Sequence, residues 1–323
     1  MYIQRYYGTQ NCKKLMHNNH LPNLPPPARV LRAGDRTLQL GSRPWLMGVV
    51  NASPDSFSDD GSTRTLERQT LLAGELVEAG ADMLDIGGES ARTGVPPVSV
   101  EEEIERVVPL IERITTTMQM VVSVDTYKPA VARAAIAAGA TIVNDVSGLR
   151  DPDLARVCAE TGAALVLMHT RAAPKQRLQD PDLYGEDVTG EVLAFLRERI
   201  ELATAAGVAR ERLIVDPGPD FAKTPAQTIA LLAEIERLHE LERPLLMAIS
   251  RKDFIGALTS RPPRERGAGT LAALAYGVDA GAHIFRLHDI AAAADFLRVR
   301  AALMGAAPPQ RDLVLAEELR HEP

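Results

Sequence analysis

From about residue 44 to residue 305 the chain alternates two kinds of segment. Short aliphatic runs are bounded by glycine or by polar clusters. Between them lie longer stretches with apolar residues at helical spacing, or rich in alanine. The joins repeat one design: VEAGADMLDIGG, IAAGATIVNDVSG, AETGAALVLMHT and VDAGAHIFRLHD each end a helical stretch in small residues and glycine, then enter an aliphatic run. Gly80, Gly139, Gly162 and Gly281 therefore suit the position after a helix, where a left-handed turn costs glycine little. The runs Leu46–Val50, Met83–Ile86, Val121–Val124, Thr141–Asn144, Ala164–Met168, Leu213–Val215, Leu245–Ile249 and His283–Leu287 read as parallel strands buried on both faces. Leu66–Ala79, Val100–Thr115, Pro129–Ala138 and Pro225–Leu241 read as helices between them.

Eight βα units in this length match the roughly 250 residues of a (β/α)8 barrel. The expected fold is α/β, a single-domain TIM barrel. A doubly wound open sheet shares the pattern, because strand closure leaves no mark on sequence. Residues 29–41, RVLRAGDRTLQLG, predict a short N-terminal hairpin plugging the N-terminal end of the barrel. The expected organisation is a disordered extension over 1–27, a barrel over 28–305 and a polar C-terminal tail over 306–323.

Composition narrows the function classes. Aromatics are 4% of the 323 residues, so the core must be aliphatic. The net charge of −7 speaks against a general nucleic-acid binder. No apolar run approaches the roughly 18 residues of a membrane span, and residues 1–27 hold no secretory-signal core. The two cysteines, Cys12 and Cys158, have no metal-ligand spacing, which argues against a disulfide framework or structural zinc and suits a reducing cytoplasm.

The residues at the strand ends carry the chemistry. The eight runs lead in turn into Asn51, Asp85, Asp125, Asn144-Asp145, His169, Asp216, Ser250-Arg251-Lys252 and His288-Asp289, with Arg286 inside the last run. A lone Asp or Ser after a strand usually caps a helix. Eight in succession, gathered by a barrel onto the rim where barrel active sites lie, read as one site. Asp125, Asn144 and Asp216 suit a flat heterocycle rich in N–H donors, since carboxylates buried without such partners would be costly. Lys252, Arg286, His288, Arg92 and Asn51 suit an anionic group such as phosphate. His169 stays open between a structural histidine and a ligand contact.

The strings MGVVNASPDSFSDDG, DIGGESARTG, VSVDT, NDVSG, LMHT, DPG, SRKDFIGAL and RLHD, in this order, resemble those of the dihydropteroate synthase family, over about Leu46 to Leu303. The resemblance implies condensation of 6-hydroxymethyl-7,8-dihydropterin diphosphate with p-aminobenzoate in folate biosynthesis, releasing diphosphate. It implies Asp125, Asn144, Met168, Asp216 and Lys252 at the pterin, and Asn51, Arg286 and His288 at the diphosphate, with Mg2+ near Asn51. Asp125, Lys252, Arg286 and His288 become the catalytic set. Phe57, Asp59 and Arg92 fall in mobile loops over the acceptor, with Phe221 and Ser250 beside it. It further implies a homodimer, and sulfonamides as inhibitors or as drugs this protein evades. A pterin-binding methyltransferase and a paralogue with weak acceptor chemistry are the alternatives.

This chain departs from the family strings on the acceptor side. Ala91 and Thr93 alter the second loop, and Pro219, Asp220 and Ala222 alter the loop after the DPG string. Asp253 stands where serine is usual, and is expected to cap the following helix rather than face an acidic acceptor.

Overall fold

A computed structural model describes residues 29–52, 62–90 and 96–320. The expected extension over 1–27 therefore lies outside the described residues. Two strands, β1 (Arg29–Ala33) and β2 (Arg36–Leu40), form the expected hairpin. Eight parallel strands come next: β3 (Trp45–Asn51), β4 (Met83–Gly87), β5 (Val121–Asp125), β6 (Ile142–Asp145), β7 (Ala164–Met168), β8 (Leu213–Asp216), β9 (Leu246–Ala248) and β10 (Ile284–Leu287). Their order in the sheet is β8-β7-β6-β5-β4-β3-β10-β9. A parallel bridge between Val215 and Leu245, with the Val215 N–H donating to the Pro244 carbonyl at 3.0 Å, joins β8 to β9. That contact closes the barrel and rules out the open sheet.

The connecting helices are α1 (Ser62–Glu78), α2 (Val100–Thr117), α3 (Pro129–Ala137), α4 (Asp153–Thr161), α5 (Val188–Ala205), α6 (Pro225–Ala233), α7 (Asp253–Thr259), α8 (Gly267–Asp279) and α9 (Ile290–Leu303). Local chemistry starts them. Ser99 accepts from the Glu102 N–H at 3.1 Å, and three glutamates in the first turn of α2 complement its dipole. Thr224 and Gln227 form a reciprocal capping box at α6, with Pro225 in its first turn. The four glycines expected after helices all take positive φ, and at Gly139 a Cβ would meet the Thr115 hydroxyl at 2.8 Å.

One helix differs from expectation. Pro225–Leu241 breaks at Glu234 (φ −123°, ψ 23°) and continues as a 3-10 helix, Ile235–Leu241. Ile235, Leu238 and Leu241 are all buried, and a three-residue repeat keeps them on one face. The same spacing imitates an α-helical stripe, so the pattern alone does not separate the two.

Two apolar layers hold the barrel. The larger packs strands against helices, and the other fills the interior. In the interior, Met47, Met83, Val121 and Ile142 meet Leu31 and Leu40 of the hairpin, which seals the N-terminal end. Each such aliphatic side chain contributes roughly 1.5–3 kcal/mol by leaving water. Beyond α9, residues 305–320 are exposed and carry Leu313, Val314, Leu315 and Leu319 as well as polar residues. Among the described residues no helix is long and apolar enough to cross a membrane.

Candidate active site

Side chains alternate along a strand, so every second residue points into the barrel. The inward series runs from apolar to polar toward the C-terminal end: Met83 then Asp85, Val121 then Ser123 and Asp125, Ile142 then Asn144, Ile214 then Asp216. On the last strand, Ile284 is followed by Arg286 and then His288. The register places Asn51 beside Gly87, Gly87 beside Asp125, Asp125 beside Asn144, and Met168 beside Asp216.

At the centre, Arg286 donates through Nε to Asp85 Oδ2 at 2.6 Å and through Nη2 to Asp125 Oδ2 at 2.9 Å. Asn144 Nδ2 donates to the same Asp85 oxygen at 3.1 Å. Asp85 is fully buried, and its Oδ1 has no partner among the described residues, leaving one acceptor open. Burial pushes Asp125 up to about 7, with neighbouring Asp85 adding to the rise and Arg286 opposing it. Asp216 accepts from the Gly218 N–H at 2.7 Å. Burial raises it to about 6, against that hydrogen bond and the positive charges of Lys252 and Lys223.

The cationic edge stands close by. The Lys252 ammonium lies 4.4 Å from the centroid of the Phe221 ring. Burial lowers its pKa, while Asp220 and Asp216 favour the charged form. His288 Nδ1 lies 2.9 Å from Ser250 Oγ, and the His288 N–H donates to the same oxygen at 3.2 Å. Partial burial, reinforced by Arg286, Arg251 and Lys252, lowers the imidazole to about 4 and leaves it neutral near pH 7. Ser250, expected beside the acceptor, is thus tied to His288. Asn51 is exposed at the end of β3, its carbonyl 3.4 Å from Gln69 Nε2.

A cleft of about 520 Å3 opens at this rim, lined by Asp125, Tyr127, Lys175, Phe221 and Lys252 among others. Asn144, Met168 and Asp216 are almost wholly buried. Phe57, Asp59 and Arg92, with Ala91 and Thr93, lie outside the described residues.

His169 is structural. Its ring packs edge-on to Phe195 at 4.8 Å, and its Nδ1 lies 2.8 Å from the fully buried Lys223 Nζ. Burial and the Lys223 charge hold it down to about 2, so it stays neutral. Asp253 does not cap α7. It occupies the first helical position, and its carboxylate accepts from Arg266 Nη1 at 3.0 Å. The cap comes from Asp220, whose Oδ2 accepts from the N–H groups of Asp253 (2.5 Å) and Phe254 (3.4 Å). The reason is geometric: a residue inside the first turn is poorly placed to reach back to its own helix end, whereas the neighbouring loop reaches it directly.

Two groups escape sequence reasoning, and Asp85, expected at the rim, takes a task the pattern does not assign. Asp85 holds Arg286 and Asn144 in place. It lies two positions beyond Met83 and so shares its inward parity, which is a usable signal. Lys223, which also donates to the carbonyls of Gly218 (3.0 Å) and Phe221 (3.1 Å), has no periodic signature in its loop. The other is an ionic network at the rim. Lys128 Nζ donates to Glu89 (2.7 Å), Glu103 (2.6 Å) and the Val98 carbonyl (2.6 Å). Lys175 reaches Glu89 (3.2 Å) and the Ser90 carbonyl (2.5 Å). Its partners are distant in sequence and invisible to local pattern.

A closed (β/α)8 barrel with buried acceptors on the floor of one rim and cations at its edge defines a class of enzymes for anionic, nitrogen-rich substrates. The chain belongs to the pterin-binding enzyme family, whose model matches residues 47–288. Within it, the chain is 41% identical over 281 residues to dihydropteroate synthase of Synechocystis sp., covering 86% of this chain and 96% of that one. The structure of Xanthomonas albilineans dihydropteroate synthase with 4-aminobenzoic acid superposes with a TM-score of 0.78 at 44% identity, covering 87% of this chain and all of that one. The same enzyme in complex with 7,8-dihydropteroate superposes with a TM-score of 0.75 at 43% identity, over 86% of this chain and all of that one.

Proposed function

We propose that this protein is a transferase catalysing the dihydropteroate synthase reaction. It joins 6-hydroxymethyl-7,8-dihydropterin diphosphate to p-aminobenzoate, giving 7,8-dihydropteroate and diphosphate for folate biosynthesis. The observation that carries the reading is the floor of Asp125, Asn144 and Asp216, a set of acceptors matched to the ring N–H groups of a pterin, in a member of this family.

The residues divide the work. Asp125, Asn144 and Asp216 accept from the ring, Met168 supplies an apolar wall, and Lys252 closes the ring's edge. As the methylene–oxygen bond breaks, negative charge grows on the departing diphosphate. The Arg286 guanidinium and the His288 ring stabilise it with donors already in place. Positive charge on the pterin methylene is balanced by Asp125 and Asp216. The arylamine attacks without a strong base, since it is neutral and nucleophilic at pH 7. Phe221 packs against it, and Phe57, Asp59 and Arg92 are assigned to the acceptor as well.

Mg2+ fits this set through the chemistry of its donors. It prefers few protein oxygens together with substrate phosphates and water, and Asn51 offers one amide oxygen at the exposed end of β3. When bound, it would help neutralise the diphosphate. We further propose a cytoplasmic homodimer, for which the exposed Tyr276 of α8 and Val299 and Leu303 of α9 are apolar positions that a partner could cover. Sulfonamides, which mimic p-aminobenzoate, compete for its place. Parallel measurement of the p-aminobenzoate KM and the sulfonamide Ki decides between target and insensitive variant.

The test is diphosphate release with and without p-aminobenzoate, with dihydropteroate measured alongside. Release that depends on p-aminobenzoate and equals the product formed supports the reading. Release indifferent to the amine, or none, rejects it.

A further inference from the structure

The loop between β8 and α6 holds two non-glycine residues in the left-handed region, Asp220 (φ 66°) and Ala222 (φ 50°). They flank Phe221. L-residues avoid this region, so a pair of them persists only where surrounding contacts impose it. At Asp220 those contacts are visible. Besides the two N–H groups at the start of α7, its Oδ1 accepts from the hydroxyl of Thr228 at 3.1 Å, and that hydroxyl accepts in turn from the Asp220 N–H at 3.1 Å. Thr228 is fully buried in α6. One carboxylate thus clamps the loop to two helices, and Lys252, at the N-cap of α7, contributes no capping side chain of its own. Between the two strained residues, the Phe221 ring sits over the Lys252 ammonium, and both line the cleft.

We propose that Asp220 is a positioning residue that seats Phe221 against Lys252 and so shapes the acceptor end of the cleft. This rests on the reading that Phe221 packs against p-aminobenzoate. Asp220 lines the same cleft, but both of its carboxylate oxygens are engaged by Thr228 and the start of α7, so it acts through the loop. The pterin floor stands on strands β5, β6 and β8, outside this clamp. The clamp therefore bears first on the acceptor end, and reaches the pterin only through Lys252.

The test compares Asp220→Gly, Asp220→Asn and Phe221→Ala in the full-length enzyme. Asp220→Gly fits the backbone but removes the clamp. It should raise the p-aminobenzoate KM at least tenfold and leave pterin diphosphate affinity, by calorimetry, within threefold. Asp220→Asn keeps an acceptor oxygen and tolerates the left-handed turn, so it should recover KM to within threefold of the parent. Adding Asp220→Gly to Phe221→Ala should raise KM by less than twofold further, because the route through Phe221 is already gone. Thr228→Val loosens the clamp from α6 and should raise KM about threefold, which serves if Asp220→Gly folds poorly. Equal losses of pterin and acceptor binding would overturn the proposal, as would full additivity with Phe221→Ala. If Phe221→Ala alone leaves KM unchanged, the acceptor role of Phe221 fails instead, and the proposal falls with it.

Discussion

The two halves of the barrel interior are built by the same strands with the same inward parity, yet they obey opposite rules. The N-terminal half is aliphatic and is sealed by Leu31, Ala33, Leu38 and Leu40 of the hairpin. The C-terminal half gathers Asp85, Asp125, Asn144, Asp216 and Arg286 within a few residues of that seal. The first half stabilises by removing apolar surface from water. The second places charges where they are costly, and only paired contacts make them tolerable. A substitution in the lower half should therefore appear in stability, and one in the upper half in substrate affinity.

The largest effect belongs to the lower half. Leu31 is completely buried, and Leu31→Ala should lower unfolding free energy by about 2–5 kcal/mol. In the folded fraction kcat/KM should stay within threefold, as read by denaturant melts beside steady-state kinetics. A large loss of kcat/KM at intact stability would break the division between the halves.

Asp216→Asn is the counterpart above. A charge-assisted hydrogen bond of about 1.5–3 kcal/mol corresponds to roughly 10- to 150-fold in pterin diphosphate affinity. The melting temperature should hold or rise. The folded pKa of Asp216 is raised to about 6, so this group destabilises the fold as pH climbs from the ordinary carboxylate range through 6. Asparagine removes that cost at pH 7. Calorimetry and thermal melts of the same preparation separate the two quantities.

The pH profile sharpens the contrast further. Asp216 at about 6 and Asp125 at about 7 must be ionised to accept from the ring. The pterin diphosphate kcat/KM should then fall as pH drops below about 7, up to about tenfold per unit while one group protonates and more steeply below about 6, where both do. Asp216→Asn should flatten part of that limb. A profile flat from pH 5 to 8 would mean that neither carboxylate binds in its charged form.

The smallest effect is expected at the outer edge. The Asp253 side chain is 62% exposed and paired with Arg266, and such pairs contribute about 0–1 kcal/mol. Asp253→Ser should change the p-aminobenzoate KM less than about threefold, under roughly 0.7 kcal/mol. A tenfold drop would show that this carboxylate repels the acceptor.

Much of the fold and the site is legible in the chain itself. Strand positions, the plugging hairpin and the strand-end polar set arise from short-range periodicity and turn chemistry, which sequence records directly. Closure is not legible, because it rests on the contact of Val215 with Pro244 and Leu245, an edge between two strands that does not alter either strand's composition. The loops are hardest. The Asp220 clamp, the Lys223 tether and the Glu89–Lys128 network each join segments through partners outside their own element, and local pattern has no term for such pairs. Asp253 shows the same limit: its position suggests a cap, but a competing carboxylate from another loop reaches the helix end first.

The Arg286–Asp85 ion pair spans 201 positions and the Arg286–Asp125 pair 161. During synthesis at about 5–20 residues per second, Asp85 leaves the ribosome roughly 10–40 s before the guanidinium that pairs with it. Over that interval the nascent chain grows from two barrel strands to seven, and Asp85 and Asp125 still lack the guanidinium that pairs with them. Substrate can therefore stabilise only chains that have completed the final strand. Protection from protease by added pterin would report complete synthesis and closure, and ribosome-stalled chains ending before Ile284 should gain none.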